Sequence, residues 1–87
     1  MLVNISVNSL YNGRVQICVS KPQSSPHPVQ TYPSAEEARR VLLAFGIEEK
    51  AIDEIMKLLS DTGPNEPLYF KPTNVPQDNL WSHGFKP

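Results

Sequence analysis

The chain has 87 residues, 39% of them hydrophobic, and a formal net charge of −1, which suits one small domain with one modest core. That charge balance lacks the surplus of Lys and Arg that non-specific binding to nucleic acid or to a membrane surface draws on. The single cysteine allows no internal disulfide, and no apolar run reaches the roughly 20 residues that span a bilayer. With no basic or apolar leader at Met1-Leu2-Val3-Asn4, the expected location is cytoplasmic.

The first segment, residues 1–20, reads as a β-hairpin. Val3, Ile5 and Val7 alternate with polar residues, as do Val15, Ile17 and Val19, and Asn12-Gly13 between the two runs is a strong turn signal. A two-residue loop would put the two apolar rows on opposite faces. A three-residue loop, Tyr11-Asn12-Gly13, pairs Val7 with Ile17 and Ile5 with Val19 and puts both rows on one face, with Gly13 left-handed in a bulged turn. Cys18 then shares the polar face with Gln16, Asn8 and Ser6. Residues 21–33 form a proline-rich connection, in which Val29 to Tyr32 fits at most a short edge strand.

Residues 34–62 predict a pair of helices. Ser34 and Glu37 have the spacing of a capping box, Ala38, Val41, Leu42 and Phe45 form one apolar stripe, and Glu36 and Arg40 pair on the outer face. Gly46 ends the first helix, with Ile47 supplying the hydrophobic contact. The second helix is expected from Glu48 to Ser60 with Ala51, Ile52, Ile55, Leu58 and Leu59 inward, stopped by Asp61-Thr62-Gly63-Pro64. Residues 66–72 hold a strand candidate, Leu68–Lys71, bracketed by Pro67 and Pro72 and so expected at an edge. The aromatic tail, 73–87, fits one helical turn near Asp78–Trp81. The whole reads as a single α+β domain: an N-terminal β-hairpin plus a late edge strand forming a small antiparallel sheet, with a two-helix hairpin packed on one face.

Motifs that would carry chemistry are weak. The helix pair has the apolar spacing of a helix-turn-helix, but the outward residues of its second helix, Glu48, Glu49, Lys50, Asp53, Glu54 and Lys57, net −3 with Asp61, which would repel a duplex. Leu43-Ala44-Phe45-Gly46-Ile47 resembles the apolar-Gly-apolar loop of ubiquitin-associated domains, without their third helix. Asp61-Thr62-Gly63 spells the aspartic-protease tripeptide but follows an amphipathic helix and precedes proline, as a terminating turn does. Pro22-Gln23-Ser24-Ser25-Pro26 matches P-x-x-P without the flanking basic residue at its usual distance. His27, His83 and Cys18 lack metal-ligand spacing, and no glycine-rich loop suggests a cofactor.

The remaining signal is aromatic. Tyr69, Trp81, His83 and Phe85 are the candidate partner-binding residues, with folding of Trp81 and Leu80 back onto the core as the structural alternative. The expected function is therefore a non-catalytic protein–protein interaction module or small regulator, with another protein as partner and an edge strand offering a route to a homodimer. The rivals are nucleic-acid binding through the hairpin face with Arg14 and Lys21, and a small enzyme using Cys18 or His83.

Overall fold

The computed structural model describes residues 1–21 and 28–85. Strands β1 (Leu2–Ser9) and β2 (Val15–Ser20) form the hairpin in the register the apolar rows demand, with Val7 opposite Ile17 and Ile5 opposite Val19. The turn closes where Leu10 N–H donates to the Arg14 carbonyl at 2.7 Å. Gly13 is left-handed at φ +76° as expected, but Asn12 joins it at φ +69°. The loop thus holds two consecutive left-handed residues, a strain that asparagine tolerates better than other side chains.

Strand β3 (Val29–Tyr32) extends the sheet along the outer edge of β2. Along the other edge of β1 lie β4 (Leu68–Tyr69) and β5 (Thr73–Asn74), which complete a five-stranded antiparallel sheet. The expected strand at Leu68–Lys71 is shorter than its apolar run, because pairing breaks after Phe70 and resumes at Thr73. Ser6 stands opposite Tyr69 while Leu2 stands opposite Asn74, so the later piece carries one extra residue. That offset is a bulge around Lys71-Pro72, where proline has no N–H to give a ladder.

Helices α1 (Ala35–Ala44) and α2 (Glu49–Leu59) pack on one face of this sheet. Half of the expected capping box is present: Ser34 Oγ accepts from the Glu37 amide at 3.3 Å. The Glu37 carboxylate does not reach back to Ser34 but accepts from Arg40 at 3.1 Å, an i,i+3 partner one turn ahead. Across the two helices, Arg39 donates to Glu49 at 2.9 Å and to Asp53 at 3.1 Å. These bonds raise the guanidinium pKa above its already high value, Asp53 contributing most.

The core joins Val3, Ile5, Val7, Val15, Ile17 and Val19 of the hairpin to Ala38, Leu42, Phe45, Ile52 and Leu59 of the helices. Leu58, expected inward, is instead 51% exposed. Six residues beyond Ile52, it lies about 120° around the helix from the buried stripe. A third helix, α3 (Gln77–Ser82), is longer than the single turn expected in the tail. The Cα radius of gyration, 11.9 Å, is that of one compact domain of this length.

Candidate functional site

The four aromatic candidates do not form one surface. Phe85 is fully buried and meets Phe45 edge-to-face, with ring centroids 5.6 Å apart. It belongs to the core and has no surface to offer a partner. The cause is local: Gly84 is left-handed at φ +87°, Gly84 N–H donates to the Trp81 carbonyl at 3.1 Å and Phe85 N–H to the Leu80 carbonyl at 2.9 Å. These are the two bonds of a Schellman motif, which turns the residue after glycine back onto the helix. His83 is half-buried, its ring edge-on to Phe45 at 5.4 Å and its Nδ1 2.8 Å from the Asn79 carbonyl. Gln30 Nε2 donates to the Gly84 carbonyl at 2.8 Å, and Asn79 Nδ2 donates to the Ala44 carbonyl at 2.6 Å at the end of α1. Of the tail aromatics only Trp81, 40% exposed, meets solvent broadly. Of the pair expected to fold back onto the core, Leu80 does so, joined by Phe85 rather than by the tryptophan.

Tyr69 is different. It is 66% exposed and stands on the face of the sheet that the helices leave open. Strand pairing sets a row across that face from one edge to the other: Val29, Cys18, Ser6, Tyr69. A second row, Thr31, Gln16 and Asn8, runs beside it. Between them lies a shallow open concavity of about 380 Å³, floored by Ser6, Asn8, Gln16 and Cys18 and walled by Val29 and Tyr69, with Asn65 and Pro67 at the rim. None of these side chains is a carboxylate, an amine or a guanidinium. The helix-bearing segment, residues 34–63, carries seven acidic against four basic residues. The acidic helix pair and the uncharged concavity therefore lie on opposite sides of the sheet.

Ser6 and Asn8 are the unusual members. They are 6% and 8% exposed, deep for polar residues on an uncovered sheet face. Neither side chain hydrogen-bonds to a described residue, and none of their polar atoms is sealed from solvent without a partner, so their donors and acceptors open into the concavity. The hairpin alternation put these residues on the polar face with Cys18 and Gln16. Only the arrival of β3 and β4 on either side makes that face concave, so the sequence held no signal that singled them out.

Cys18 lies on this open face, whereas His83 contacts Phe45 on the helix side, with the sheet between them. The geometry does not bring the thiol and the imidazole together. Among the described residues no group of three or more His, Cys, Asp or Glu side chains is arranged to hold a metal ion, and no helix is long and apolar enough to cross a membrane. His27 and the P-x-x-P segment lie outside the described residues. No protein family, characterised protein or solved structure compared with the chain matches it.

Proposed function

We propose that this chain is a non-catalytic protein-interaction module whose binding surface is the open sheet face and the strand edge at Tyr69. The observation that carries this reading is the pairing of an uncharged, concave sheet face with an aromatic residue, Tyr69, held out at its margin. Aromatic side chains are enriched and charged ones depleted at the centres of interfaces. The edge adds main-chain capacity. Phe70 N–H donates to Ile5 at 2.9 Å, so by alternation the backbone groups of Tyr69 point away from β1, where an incoming strand would meet them.

Self-association belongs to the same reading. The pairing of Val19 N–H with the Pro28 carbonyl directs the main-chain groups of Val29 and Thr31 to the outer edge of β3, and no described strand covers it. The competing nucleic-acid reading has Arg14 and Lys21 for cations. These flank β2 at its two ends, roughly 20 Å apart along the strand, and neither lines the concavity.

The test is affinity capture from nuclease-treated lysate, comparing the native chain with Tyr69→Lys and Trp81→Ala after each is shown to fold. A partner lost with Tyr69→Lys and kept with Trp81→Ala is expected. Loss with Trp81→Ala alone would move the surface to the tail, and steeply salt-dependent retention of nucleic acid would replace the reading.

A further inference from the structure

We infer that the concavity on the open sheet face receives an uncharged amide side chain, presented by an extended peptide segment lying along the β4 edge. This rests on the interaction reading above and names the chemistry of its partner. Ser6 and Asn8 are more than nine-tenths buried, yet their side chains hydrogen-bond to no described residue and both line this space. Whatever covers the concavity must supply those bonds, because a polar group sealed without a partner costs more than the bond itself contributes. An apolar side chain would fail that requirement. A charged one would lose its hydration against a lining that offers no counter-charge.

An amide meets both demands. Asn8 offers one carbonyl and one NH₂ group, and a Gln or Asn side chain returns the complementary pair, with the Ser6 hydroxyl able to donate or accept beside it. The concavity, about 380 Å³ and open to solvent, is large enough for such a side chain and part of its backbone. A sugar would also satisfy a neutral lining. The extended peptide is favoured by the neighbouring edge, where the outward N–H and carbonyl of Tyr69 repeat the donor-acceptor spacing of a strand.

The experiment uses the full 87-residue chain, labelled with nitrogen-15, and three blocked pentapeptides: Thr-Val-Gln-Val-Thr and the same sequence with Glu or Leu at its centre. Maltotriose is the fourth probe. The glutamine peptide is expected to shift the amides of Ser6, Asn8, Cys18 and Tyr69 and to slow alkylation of Cys18 by iodoacetamide. The Glu and Leu peptides should bind about tenfold more weakly. Asn8→Ala should weaken the glutamine peptide by a similar factor. Gln16→Lys, at a more exposed position, should reverse the preference toward the Glu peptide and keeps the test alive if Asn8→Ala does not fold. Equal binding of all three peptides, shifts confined to the helices, or a response to maltotriose alone would each overturn the inference. If Tyr69→Lys abolishes a captured partner while the glutamine peptide leaves Ser6 and Asn8 unmoved, the interaction reading stands and this inference falls. Peptide binding at the concavity with capture indifferent to Tyr69→Lys has the opposite meaning.

Discussion

Phe85 and Trp81 are four residues apart in one tail and differ completely in surroundings. The larger indole keeps 40% of its surface in solvent, while the phenyl ring has none exposed and rests edge-on against Phe45. Truncating the buried ring removes its transfer free energy and leaves a cavity, so Phe85→Ala should cost about 3–5 kcal/mol. Trp81→Ala should cost only about 1 kcal/mol. Urea midpoints for the two variants decide the matter, and equal losses would mean that the indole packs as tightly as the phenyl. Tyr32 is a second residue whose setting has a measurable consequence. Burial raises its phenol above the ordinary value of 10.0, so the folded state keeps the proton to higher pH than the unfolded one. That contribution is fully present below the unfolded value and is lost as pH rises through the folded value. Tyr32→Phe should therefore flatten the alkaline limb of stability against pH above about 10, read from urea midpoints between about pH 8 and 11. A limb identical to that of the native chain would show that the phenol ionises as freely folded as unfolded.

Two helices end with the same device. Leu42-Leu43-Ala44-Phe45-Gly46-Ile47 and Leu80-Trp81-Ser82-His83-Gly84-Phe85 match in leucine, glycine and final apolar residue, and each forms both Schellman bonds. Their capping residues, Phe45 and His83, then meet edge-on, so the two helix ends form one joint. The glycines differ in what surrounds them. A Cβ on Gly46 would meet open space, whereas one on Gly84 would come within 2.6 Å of Gln30 Nε2. Gly46→Ala should cost about 1 kcal/mol, the left-handed penalty alone. Gly84→Ala should cost about 1 kcal/mol more, because Gln30 must leave its bond to the Gly84 carbonyl. Equal costs in a denaturation series would show that the Gln30 bond contributes nothing. The first motif was legible in the sequence because an apolar stripe led into it. The second was not, since Leu80 and Phe85 lie in a stretch too short for periodicity to show. The hairpin register was legible for the opposite reason: two alternating rows and one turn admit a single solution that buries both. The bulge at Lys71-Pro72 and the two-residue β5 were hidden, because strands that short are defined by the neighbour they pair with. The concavity, likewise, exists only between strands that are far apart in sequence.

At the scale of the molecule, the acidic helices lie on one side of the sheet and the uncharged concavity on the other, and the tail braces the joint between the main helices and the sheet. Leu80 and Phe85 are fully buried, Asn79 caps the end of α1, and Gln30 of β3 holds Gly84. Each buried side chain of this size contributes about 1.5–3 kcal/mol on leaving water, and exposing Phe45 and its neighbours adds to the loss. A domain of this kind has only about 5–15 kcal/mol in all. Ending the chain at Pro76 should therefore abolish the cooperative urea transition and leave a chain that binds a hydrophobic dye, although the whole hairpin and both main helices remain. A cooperative transition retained at more than half the native midpoint would show the tail to be accessory. The expected outcome also governs how interaction is assigned. A truncated chain that loses a partner has lost its fold first, so the loss says nothing about where the partner sits. Point substitution on the open face avoids this ambiguity, because Tyr69 and Val29 are exposed and their replacement by lysine should change stability by no more than about 0.5 kcal/mol. Binding lost at Tyr69 with the urea midpoint unchanged separates the open sheet face from the brace that supports it.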